Sequence, residues 1–93
     1  MEDLKQFRDK IDEIDKELVR LFEERMNMVI KVAEYKKVNN ISVLNQVREA
    51  DVIEKNKQFL KNAVYGEALE IFFIHLMALS KNQQYKFIEK ELP

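Results

Sequence analysis

From Phe7 to Lys37 the sequence runs FRDKIDEIDKELVRLFEERMNMVIKVAEYKK without a glycine, a proline or a cluster of turn-forming residues. Apolar residues at Leu4, Phe7, Ile11, Ile14, Leu18, Leu21, Met28, Val32 and Tyr35 alternate by threes and fours. That spacing predicts one unbroken helix with a single apolar stripe. At ~1.5 Å per residue such a helix is a rod of roughly 50 Å, about three times the average length. The stripe must be covered by two shorter helices laid end to end, by a second copy of the same helix, or by both. The expected fold is therefore all-α, one very long N-terminal helix plus two shorter helices, in an intertwined helical homodimer.

Two positions on that stripe are cationic. Arg25 stands where the pattern calls for an apolar residue between Leu21 and Met28, and Lys36 follows three turns later. A buried charge is unfavourable unless something pairs with it, so a carboxylate or an anionic ligand is expected in the seam.

The 93 residues suit a single domain spanning 1–93, small enough that its core needs the extra surface a dimer would bury. Lys plus Arg total 16 against 17 for Asp plus Glu, which leaves no global field to draw the protein to nucleic acid or an anionic membrane. With no cysteine there is no thiol nucleophile, disulfide or thiolate metal site. The start, MEDLKQF, is acidic where a signal peptide is basic, and no stretch is expected to be a membrane span, which makes the cytoplasm the expected compartment.

Asp3 and Gln6 resemble a capping box that would start the first helix near Leu4 and carry it to about Val38. VNNIS then breaks the pattern, with Ser42 or Asn45 as the next cap. A second helix is expected to run to about Asn62, burying Val47, Ala50, Ile53 and Leu60 and turning Lys55, Lys57 and Lys61 to solvent. Asn62 to Gly66 reads as a loop, and a third helix follows from Glu67 to about Glu91, with Pro93 beyond its end. On that helix Leu69, Phe73, Met77, Ser80, Gln84 and Phe87 share a face, two of them polar and one turn apart. The second helix offers Asn45, Arg48 and Glu49 together near its start. Each interruption alone reads most simply as a paired or solvated polar group. Three helices all interrupted by donors that suit carboxylates point to a binding site for an acidic small molecule.

From Leu4 to about Phe87 the chain resembles the all-helical chorismate mutases. The resemblance rests on FRDKID, on LFEERM with Lys36 eleven residues after its Arg, on NQVREADVI, and on Ser80 and Gln84 four apart. It implies that Arg8 and Arg25 hold the two carboxylates of chorismate while Lys36 and Gln84 donate to its ether oxygen. Asn45 and Glu49 would meet the ring hydroxyl, Ser80 would assist a carboxylate, and Arg48 would support the site beside Glu49. Asn45 stands where many members carry Asp, and the loop before it lacks a proline often found there.

The implied reaction, chorismate to prephenate, is a unimolecular rearrangement that requires no cofactor, no metal and no proton transfer. It suits a chain without a metal-ligand spacing or a glycine-rich phosphate loop. If Arg8 and Arg25 serve one substrate, the 17 residues between them amount to ~26 Å of helix rise, too far for one chain, so Arg8 is expected to act in trans across an antiparallel dimer. The other readings are an isochorismate pyruvate lyase of the same fold, or a non-enzymatic helical dimerisation module in which the seam cations pair with acids.

Overall fold

The computed structural model describes residues 2–91. Three helices account for most of it: α1 (Glu2–Val38), α2 (Gln46–Lys57) and α3 (Gly66–Glu91), with a short 3-10 turn at Ala63–Tyr65 leading into α3. Among the described residues there is no strand. The expected all-α class holds. Pro93 lies outside the described residues.

The 37 residues of α1 predict a rod of ~55 Å, and the longest dimension of the molecule is 57 Å. The molecule is thus as long as its first helix. α1 begins at Glu2, two residues before the expected start, so Asp3 and Gln6 lie inside the helix and form no capping box. Asp3 in that first turn complements the helix dipole without capping it. The other end closes tightly. Asn40 takes the left-handed conformation, φ 55°, which brings the Ile41 N–H back to the Lys36 carbonyl at 2.8 Å and the Asn40 N–H to Lys37 O at 3.4 Å. Asparagine tolerates this conformation better than most residues, and the two bonds satisfy carbonyls that the helix end would leave open.

Asn45 then caps α2. Its Oδ1 accepts from Arg48 N at 3.0 Å, and its backbone carbonyl accepts from Glu49 N at 3.0 Å. α2 stops at Lys57, five residues short of expectation. There Phe59 and Leu60 turn to carbonyls three residues back, at 3.1 and 3.2 Å, and Asn56 Nδ2 donates to Val52 O at 2.8 Å. Asn62 cannot continue that helix because its side chain caps the next turn, accepting from Val64 N at 3.1 Å. Gly66, expected in a loop, has helical angles of φ −57° and ψ −48° and opens α3.

α3 packs on α1 and α2 packs on α3, rather than both short helices lying end to end on α1. α1 and α3 run parallel, with Leu18 and Phe22 near Phe72 and Phe73, and Val38 near Phe87. α2 returns antiparallel to α3, tied at its two ends by Lys81–Glu49 and Lys57–Glu70 ion pairs. Lys57 therefore faces a partner helix where solvent was expected. Val47 and Ala50 are exposed, and Val52 is the buried residue of α2. Its inward face is the one that carries Asn45, Arg48 and Glu49, roughly half a turn from Val47.

The apolar stripe of α1 behaves differently from the core it was expected to form within the chain. Every residue from Asp3 to Glu24 is exposed, Phe7, Ile11, Ile14 and Leu18 among them. A strict seven-residue repeat drifts by roughly 20° per heptad on a straight helix. Over the four heptads from Leu4 the drift turns Met28, Val32 and Tyr35 off the side that α3 covers. That side is built from Arg25, Met26, Val29, Ile30, Ala33 and Lys36. The buried apolar core is Ala33, Val43, Val52, Leu76 and Met77, and no large side chain is fully enclosed.

α3 also corrects the reading of its apolar content. Residues 63–90 are long and apolar enough, by length and composition, to cross a membrane. The physical source is that α3 is apolar on two sides: one lies on α1, and the other exposes Ile71 and Ile74.

Candidate active site

Arg25 and Lys36 project from α1 eleven residues apart, three turns, and so face the same way. Beneath them α3 presents Ser80 and Gln84, one turn apart, and across the gap α2 presents Asn45, Arg48 and Glu49. Together with Lys81 and an apolar floor that includes Val29, Val52 and Met77, these residues line one cleft of about 180 Å³. Such a space suits a small ring compound and excludes a peptide helix. A larger groove of about 460 Å³ lies beside Ile30 and Phe87, lined also by Gln83, Lys86, Glu89 and Lys90, and it holds none of the sequence candidates.

The polar groups of the cleft are held by one another and by nearby backbone carbonyls. Arg25 Nη1 donates to Ser80 Oγ at 2.6 Å, and Ser80 Oγ donates to Leu76 O at 2.8 Å. Lys36 Nζ donates to Val43 O at 2.9 Å, so the residue whose own carbonyl closes α1 also ties down the following loop. Arg48 reaches Asp51 at 3.2 Å at the exposed rim. Glu49 pairs with Lys81 at 3.0 Å. Asn45 contributes its side-chain oxygen to the α2 cap.

Burial holds the half-buried Arg25 guanidinium below its ordinary pKa, and the neighbouring Arg48 charge pushes the same way. Both effects disfavour a cation, and an anion placed between the two guanidiniums would relieve both. The second unmet demand is on α3. Gln84 is only 7% exposed and its Oε1 has no hydrogen-bond partner. Buried amides are ordinarily satisfied, so this group is built for a partner that the chain does not itself supply. The disfavoured Arg25 cation, with Lys36 and Arg48 beside it, makes a receptor for a compact anion, while the open Gln84 Oε1 calls for a donor and leaves the amide Nε2 as the group that can donate.

Seven of the eight sequence candidates meet here. Arg8 does not, being an exposed residue of the overhanging half of α1. Sequence reasoning also overlooked Lys81. Only its position next to Ser80, turned about 100° around α3 towards α2, could have indicated it.

Residues 7–85 match the family model for chorismate mutase type II. The chain is 33% identical over 86 residues to the bifunctional chorismate mutase/prephenate dehydratase of Buchnera aphidicola subsp. Acyrthosiphon pisum (strain APS), an alignment covering 87% of this chain and 22% of that protein. It is 38% identical over 66 residues to the protein of the same description from Aquifex aeolicus (strain VF5), covering 71% of this chain and 18% of that one. The chain thus spans about a fifth of the length of these curated relatives.

Proposed function

The chain belongs to the chorismate mutase type II family, and from that premise we propose that it rearranges chorismate to prephenate in the cleft between Arg25, Lys36 and Gln84. One observation carries this reading: four cations, Arg25, Lys36, Arg48 and Lys81, converge with the buried Gln84 amide on a space of about 180 Å³. In the rearrangement the ether C–O bond breaks as a new C–C bond forms within one molecule. The enzyme has to hold a flexible dianion in a chair-like conformer and stabilise negative charge growing on the ether oxygen. Lys36 and Gln84 donate to that oxygen. Arg25, steadied by Ser80, grips one carboxylate through its planar fork, which a point charge cannot reproduce. Arg48 adds positive potential, and Glu49, with the start of α2 at Asn45, receives the ring hydroxyl.

Arg8 supplies the second carboxylate contact from the partner of an antiparallel homodimer. Support comes from the exposed stripe of Phe7, Ile11, Ile14 and Leu18 on the same overhang, and from a core too small to leave a 93-residue chain comfortable alone. The dimer also offers cover for the outer apolar face of α3 without a lipid bilayer, in keeping with a cytoplasmic enzyme.

The test is to incubate the purified chain with chorismate, following loss of its absorbance and appearance of prephenate. Saturable conversion without added metal or cofactor is expected. Folded protein that leaves the uncatalysed rate unchanged overturns the proposal, and so does release of pyruvate from isochorismate with no prephenate from chorismate.

A further inference from the structure

Glu49 is the one carboxylate lining the cleft, among Arg25, Lys36, Arg48 and Lys81. On its own it would repel a dianionic substrate. Lys81 Nζ lies 3.0 Å from its Oε2, with the two side chains 27% and 29% exposed. The other pair joining α2 to α3, Lys57–Glu70, is more open at 35% and 43%. Lys81 is also the next residue after Ser80, so one turn of α3 steadies the α1 cation through Ser80 and the α2 anion through Lys81.

We propose that Lys81 is a positioning residue: by taking Oε2 of Glu49 it offsets that negative charge and aims Oε1 at the substrate's ring hydroxyl, making the cleft selective for hydroxyl-bearing substrates. The inference rests on the mutase reading. A carboxylate free to rotate loses orientation and stays unscreened, whereas one pinned through one oxygen keeps the other as a directed acceptor. Because Lys81 works through Glu49, its removal acts on binding of the ring hydroxyl and leaves ether-bond cleavage to Lys36 and Gln84.

The experiment uses Lys81→Met, which keeps the stem, and Lys81→Arg, which keeps the charge, each alone and combined with Glu49→Gln. Substrates are chorismate and an analogue with hydrogen in place of the ring hydroxyl. Lys81→Met is expected to raise KM for chorismate about tenfold with kcat within about twofold, a size that fits one charge-assisted hydrogen bond. Lys81→Arg should rescue most of the loss. On the analogue, or beside Glu49→Gln, Lys81→Met should change KM less than about twofold. An unchanged KM in Lys81→Met overturns the proposal, and a tenfold effect that persists beside Glu49→Gln overturns it in favour of direct substrate contact. Thermal melts of the wild type, Lys81→Met, Glu49→Gln and the Lys81→Met/Glu49→Gln double variant are read without substrate, and additive losses from Lys81→Met and Glu49→Gln would remove the pairing itself. Failure of the wild type to turn over chorismate, with coupling seen in the melts, strikes the mutase reading and the named substrate.

Discussion

Arg25 and Ser80, 55 residues apart in sequence, share a hydrogen bond of 2.6 Å in which the guanidinium donates to the hydroxyl oxygen. The hydroxyl proton is turned the other way, to Leu76 O at 2.8 Å. Ser80 thus acts as an acceptor towards the cleft and fixes the plane of the Arg25 fork. Ser80→Ala should lower kcat/KM about tenfold, the worth of one hydrogen bond to a charged group, with a small change in melting temperature. Unaltered kinetics would remove the orienting role.

Arg25→Ala and Lys36→Ala should each lower kcat at least a hundredfold, because one donor aligned on developing charge contributes on the order of 3 kcal/mol. Arg25→Lys should be nearly as poor. Lys36→Ala should in addition lower the melting temperature, since Nζ holds the Val43 carbonyl. Steady-state kinetics and melts on the same preparations check all three.

Gln84 donates as a neutral amide, so a carboxyl group at its place could donate only when protonated. The protonated fraction grows as pH falls. Gln84→Glu should therefore be strongly impaired at neutral pH and regain activity towards pH 5, an acid-side gain the wild type lacks. Gln84→Met removes a buried oxygen that has no partner, so it should abolish most activity while the substrate-free protein melts no lower, and up to about 1 kcal/mol more stably. A pH–rate profile and a melting series test the pair.

Arg8 and Arg25 in one straight helix differ by ~26 Å of rise, so the proposal that both hold one substrate requires Arg8 to act in the partner's site. Arg8→Ala and Arg25→Ala chains, each nearly inactive alone, should regain about a quarter of wild-type activity after unfolding, mixing and refolding. Half of the dimers are then mixed, and half of their sites carry neither change. Mixed dimers seen by mass spectrometry without recovered activity would place Arg8 elsewhere.

The exposed stripe makes a separate prediction. Ile11→Asp combined with Leu18→Asp puts charge on side chains that are 53% and 50% exposed in the single chain, and so should cost little unless a second chain covers them. Sedimentation should show loss of the dimer, with a fall in melting temperature. The wild-type melting temperature should rise with protein concentration, as expected when association and folding are linked.

What the sequence by itself determined lies within a few turns of chain. The continuity of α1, the break at Asn39 and Asn40 and the cap at Asn45 follow from propensity and from side chains bonding neighbouring backbone, interactions that reach three or four residues. The all-α class follows from the same local periodicity. Placement of Arg25 with Lys36, and of Ser80 with Gln84, was legible because each pair shares one helix, and the family pattern supplied the reason to join them. Tertiary structure alone decided which side of each helix is used. α2 turns its polar side inward, with Val52 buried and Val47 exposed; its own apolar pattern is too weak to choose a side, and ion pairs to Lys81 and Glu70 join the chosen one to α3. The first half of α1 overhangs α3 and the later stripe positions Met28, Val32 and Tyr35 drift off it, so the face that looked like core stays open while Arg25 and Lys36 are partly covered. Lys81 joins the cleft through a carboxylate on another helix, and a relation between residues so far apart in sequence has no local periodicity from which it can be read.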